Sequence, residues 1–161
     1  MSDVVTGHSE TAQWYRLVNE AEAAAGTHLP EEVESYLVFL LMRFRSRPEM
    51  AGRILALDYL RGLLSGGRLR EQRLQEVGDH CLLLSGFFPQ RARRLNVSVD
   101  YFVDLGQGAY HSLASLDPQQ LGRLFAELGE RFVVMMDLLR RMRRLGGPAR
   151  WRTAPAGRTT H

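Results

Sequence analysis

Leu121, Phe125, Leu128, Phe132, Met135, Leu139 and Met142 are separated alternately by four and three residues. That alternation is the heptad period of helices packed along a seam, and it cannot be met by a strand, whose side chains repeat every second residue. Leu124, Leu138 and Leu145 add a flanking row, so the stripe is wider than a two-stranded coiled coil needs. Asp117 as a cap and Pro118 in the first turn predict one helix from there to about Leu145, stopped by Gly146, Gly147 and Pro148. At 1.5 Å per residue it is about 40 Å long, more than a compact domain of this size requires. Two readings of the seam stay open. It is the spine of one monomer's core, or part of it meets a second protomer or a partner helix. Twofold dimers are the commonest oligomers, and the seven seam residues are candidate interface residues of a homodimer.

The remaining periodicity is also helical, and no convincing strand pair interrupts it. Ser9 can cap a helix running to Ala25, with Trp14, Leu17, Val18, Ala21 and Ala25 as its apolar stripe and Gly26 as its left-handed end. Pro30 opens a second helix, and Glu31, Glu32 and Glu34 complement its positive end. From Tyr36 to Phe44 that helix is apolar nearly all round apart from Arg43. A third helix is predicted from Pro48 to Ser65 on Ile54, Leu55, Leu57, Leu60, Leu63 and Leu64, ended by Gly66 and Gly67. A fourth, from about Leu69 to Ser85, starts polar and ends in the apolar Cys81–Leu84, before Gly86-Phe87-Phe88-Pro89 breaks it. Residues 90–96 suggest one basic turn, and Ser98 caps a fifth long helix that runs to Leu116. The expected fold is therefore all-α: a single-domain bundle of about six helices with a long C-terminal helix. Residues 1–8 are expected to be a flexible N-terminus, 9–146 the helical domain, and 147–161 a disordered Arg-rich tail.

Charge and cysteine narrow the function classes. All 21 basic residues are Arg, against 18 acids, for a net charge of +3. Residues 140–161 carry seven Arg and no acid, so the rest of the chain is mildly acidic. The one cysteine, Cys81, rules out an internal disulfide and fits a reducing, cytoplasmic setting. Its apolar neighbours suit a buried inert thiol. No apolar run approaches the roughly 20 residues of a membrane span, so no membrane role is expected. The N-terminus lacks the basic, apolar, small-residue order of a signal peptide.

Two polar patterns could carry chemistry. On the helix after Ser98, Asp100, Asp104, Gln107 and His111 share a face, and on the preceding one Glu76 and His80 are four apart with Asp79 beside them. Carboxylates and imidazoles on facing helices are how bundle metal sites are built. This makes Glu76, His80, Asp104 and His111 candidate metal ligands. The plainer reading is a solvent face and an exposed Glu76–His80 pair. Arg140, Arg141, Arg143, Arg144, Arg150 and Arg152, with Trp151 among them, could grip phosphates and stack on bases, and Arg91, Arg93 and Arg94 could extend the patch. Nucleic-acid binding through them would be weak and salt-sensitive. The plainer reading is cations at a helix C-terminus followed by a solvated tail. No phosphate loop, nucleophile elbow or H-E-x-x-H pattern is present, and Gly106-Gln107-Gly108 sits in a helical pattern, where glycine permits close packing. No cofactor is expected. The leading expectation is a cytoplasmic, non-enzymatic interaction or regulatory protein, homodimeric, with a protein partner the sequence does not name. The alternatives are a nucleic-acid-binding accessory protein and a metal-binding helical enzyme.

Overall fold

The structure, a computed structural model, describes residues 2–46, 61, 64–94, 98–116 and 119–145. The architecture is all-α. Among the described residues there are seven helices: α1 (Ser2–Ala25), α2 (Glu31–Ser46), α3 (Gly67–Phe87), α4 (Pro89–Arg94), α5 (Val99–Leu116), α6 (Gln120–Glu130) and α7 (Phe132–Arg144). None of these is long and apolar enough to cross a membrane. Most of the helix expected over 48–65, the Asp117 cap, Pro118 and the tail 147–161 lie outside the described residues. Leu64, expected in a packing face, is 88% exposed. The chain groups into two compact units, Met1–Glu49 with Leu138–His161, and Met50–Asp137.

In the first unit α1 packs on α2. Helix α1 begins at Ser2, ahead of the expected Ser9 cap. Nothing between Val4 and Ser9 forbids it, since the stretch holds no proline and a single glycine costs only about 1 kcal/mol. Trp14, Val18 and Ala21 are buried from α1, and Val33, Leu37, Val38, Leu40, Leu41 and Phe44 from α2. The Tyr15 hydroxyl donates to Ser35 Oγ at 2.7 Å, and Arg45 pairs with Glu10.

In the second unit α3 packs on α5, α5 on α6, and α4 touches both α3 and α5. The residues Cys81 to Phe87 are all buried, so α3 enters the core as its polar start and apolar end imply. Gly106 is where the core closes: a Cβ there would stand 2.5 Å from the Phe132 ring and 2.8 Å from Cys81 Cβ. Only a residue without a side chain allows that approach. Ser98 Oγ accepts the Tyr101 N–H at 3.2 Å, the cap expected for α5.

The single helix expected from Asp117 to Leu145 is two helices in the structure. Arg131 interrupts it at φ −100°, ψ 15°. The ladder holds on either side, with the Arg131 N–H on the Glu127 carbonyl and the Met135 N–H on the Arg131 carbonyl, both at 2.9 Å. The cause lies next to Gly129. Its carbonyl accepts a hydrogen bond from Gln107 Nε2 of α5 at 3.2 Å, and a Cβ on it would stand 2.7 Å from the His111 ring. A residue with weak helix propensity, held against a neighbouring helix, is where a long helix yields.

Candidate functional site

The end of α1 is built from its backbone. Gly26 has φ 68°, the Gly26 N–H bonds the Ala23 carbonyl at 3.2 Å, and the Thr27 N–H bonds the Glu22 carbonyl at 3.0 Å. These two bonds make a Schellman cap, which turns the chain sharply. The side chain of Glu22 completes the turn, since its Oε2 accepts the Leu29 N–H at 2.8 Å. Pro30 then starts α2, and the Glu34 N–H reaches back to its carbonyl.

This turn brings three titratable side chains together. Glu22 is only 3% exposed. Its Oε2 lies 3.8 Å from Nδ1 of His28, an imidazole that is otherwise open to solvent. Glu34, half-buried on the first turn of α2, meets the Glu22 carboxyl, and its Oε2 is closed off from solvent with no hydrogen-bond partner. Burial lifts the Glu34 carboxyl to about 7, and the hydrogen bond and charge of Glu22 add to the lift. Glu31 adds a little more, while His28 opposes it. One ligand atom from each of Glu22, His28 and Glu34 lies within 4.8 Å of the others. Among the described residues no other group of three or more His, Cys, Asp or Glu side chains does this.

The second unit buries polar groups differently. Asp79 is 1% exposed, and its Oδ1 accepts the Tyr110 hydroxyl at 2.6 Å. Gly78 lets the Tyr110 ring lie close, since a Cβ there would meet the ring at 2.5 Å. This is a neutral donor on a buried acid, an arrangement that satisfies the acid in place. Cys81 is fully buried, and burial pushes its thiol pKa up, which makes it inert as a nucleophile.

The residues singled out from the sequence fall in several places. Phe125, Leu128, Phe132, Met135, Leu139 and Met142 are buried within the chain, and only Leu121 of the seam, at 58%, is exposed. His80 is 3% exposed and Glu76 half-buried, which corrects the expected exposed pair. Asp104 and His111 are exposed, and His111 lies against Gly129. These four do not bring their ligand atoms together as Glu22, His28 and Glu34 do. Arg143 and Arg144 are exposed, while Arg140 and Arg141 are half-buried. Arg150 and Arg152 are outside the described residues, as is the side chain of Arg93. Arg94 is exposed, and Arg91 sits over the Phe88 ring at 4.6 Å from its centroid.

Sequence reading treated Glu34 only as a charge at a helix start and passed over Glu22 and His28. One signal was present. Trp14, Val18 and Glu22 are spaced by four, so Glu22 occupies the next place on the apolar stripe of α1. Compared with family models, with curated proteins and with solved structures, the chain matches none.

Proposed function

We propose that this is a non-enzymatic helical interaction protein of regulatory type, and that α2 presents its partner surface. The observation that carries the reading is Phe39, 51% exposed in the middle of a helix that is apolar nearly all round. Tyr36 and Met42, half-buried three residues to either side, share its face, and exposed Arg43 stands beside it. Aromatic residues, Met and Arg are the side chains enriched where proteins meet. The other face of α2 is already spent on the core. A second copy is the first partner to test, because twofold dimers are the commonest assemblies. The single, deeply buried Cys81 supports a cytoplasmic setting for this role.

Light scattering tests the dimer. It should give twice the chain mass of 18.3 kDa at micromolar concentration, and Phe39→Ser should return the mass to that of one chain that keeps its helical circular dichroism and loses only the concentration dependence of its melting temperature. A mass near 18.3 kDa at every concentration rejects self-association. A second reading, weak nucleic-acid binding, is favoured by exposed Arg143 and Arg144 in the last turn of α7. Gel shift at rising salt tests it, since binding through phosphates alone falls steeply as counterions are added.

A further inference from the structure

We propose that Glu22, His28 and Glu34 form a binding site for a divalent first-row transition-metal ion. The three come from separate places: the last turns of α1, the connecting turn, and the first turn of α2. They offer two carboxylates and one imidazole, with one ligand atom of each inside 4.8 Å of the others.

Their surroundings argue that this is more than a crowd of acids. Glu22 is nine-tenths buried and is pinned, since its Oε2 holds the Leu29 N–H at 2.8 Å. The Schellman cap fixes the backbone beneath it. Glu34 Oε2 is shut away from water and is reached by no N–H or hydroxyl donor, so beside the Glu22 carboxyl only a shared proton or a cation satisfies it. Two carboxyl groups this close hold together only around a proton or a cation. A cation satisfies the unpartnered oxygen and removes the repulsion in one step.

The donor set selects the ion. Carboxylates alone would suit calcium or magnesium, but an imidazole in the set favours zinc, manganese or iron in the divalent state. His28 is 82% exposed in its side chain, so its ring can turn towards an ion, and the remaining positions are left to water. An open, hydrated site of this kind suits reversible binding more than a permanent structural staple.

The test uses the full chain at pH 7.5, stripped with EDTA and then titrated with zinc chloride or manganese chloride. Melting temperature and calorimetry are the readouts. Binding should be one ion per chain, should raise the melting temperature as ligand binding to the folded state must, and should be reversed by EDTA. Glu34→Gln keeps the shape of the side chain and removes a like charge, and His28→Ala alters a solvent-facing ring, so both should fold in EDTA as the parent does. Each should weaken binding by at least about tenfold, the loss that even groups outside the metal's own ligand set commonly cause. If Glu34→Gln fails to fold, His28→Ala decides alone. No metal-dependent shift in the parent protein overturns the proposal, and so does binding to the folded variants as tight as to the parent.

Discussion

The two compact units bury a carboxylate in opposite ways. In Met50–Asp137, Asp79 is given a neutral donor, the Tyr110 hydroxyl, and Gly78 lets the Tyr110 ring lie close. In the unit that holds α1 and α2, Glu22 receives one backbone N–H and then faces a second acid. The first solution supplies a matching donor from within the chain, since the Tyr110 hydroxyl donates and the acid accepts. The second is unfinished once Glu34 loses its proton near pH 7, because two carboxylates then share one turn. A buried acid beside a donor contributes to stability, and a buried acid beside another acid responds to what is dissolved around it.

Breaking the finished side should cost most. Phe132→Ala removes the ring that closes over Gly106 and should destabilise the fold by about 3–5 kcal/mol, read as a shift in urea midpoint. Tyr110→Phe keeps the ring and removes the hydroxyl donor from Asp79. The expected loss is about 1–3 kcal/mol, the cost of taking the donor from a buried acceptor. A loss below about 0.5 kcal/mol would mean that the bond to Asp79 contributes little.

The unfinished side should show its character through pH. Folding raises the Glu34 carboxyl from its ordinary value of 4.5 to about 7, so between those values the folded state binds more protons than the unfolded one. Stability contributed by this group must therefore fall as pH rises through that window. Below it both states hold the proton, and above it neither does. Glu22, Glu31 and His28 are the charged neighbours that set the shift. Urea unfolding in EDTA should show Glu34→Gln more stable than the parent at pH 8, by up to about 1 kcal/mol, the scale of a partly solvated charge pair. The gain should vanish near pH 4. An equal effect at both pH values would mean that the two carboxyls do not repel.

The smallest effect should separate the two sets of histidines. His111→Ala, at an exposed position against Gly129, should change stability by less than about 0.5 kcal/mol and leave any metal response untouched. A metal response lost in His111→Ala and kept in His28→Ala would move the site to α5.

Much of this was open to reading from the residues. Helix identity followed from the spacing of apolar positions. Ser98 capped where a small hydroxyl precedes a helical pattern, Gly26 took the left-handed turn, and Gly106 marked a close approach because a glycine inside an apolar helix needs a packing reason. The break at Arg131 was hidden, because the seam from Leu121 to Met142 keeps its period straight across it. What interrupts the helix is Gln107, a residue of another helix, and no local pattern carries that. The division of the chain at Asp137 and Leu138 falls within α7, with no glycine, proline or change of composition to mark it. The meeting of Glu22 and Glu34 was half legible. The acid on the stripe of α1 was visible, but which acid of α2 would face it depends on the turn between them. Two of the three glutamates at the start of α2, Glu31 and Glu32, point to solvent.

The joint at Arg131 also bears on the order in which the chain acquires structure. It leaves α6 with 11 residues, shorter than the roughly 12–15 at which an isolated helix becomes even marginally stable in water. An uninterrupted helix could have nucleated from its own sequence and then sought its neighbours. Helix α6 has no such independence, so its amides become protected only once α5 is present for it to dock against. Hydrogen exchange along Gln120–Glu130 should therefore report the opening of the α5–α6 contact as a whole, and a substitution on α5 such as Gln107→Ala should speed exchange in a helix whose own sequence has not changed.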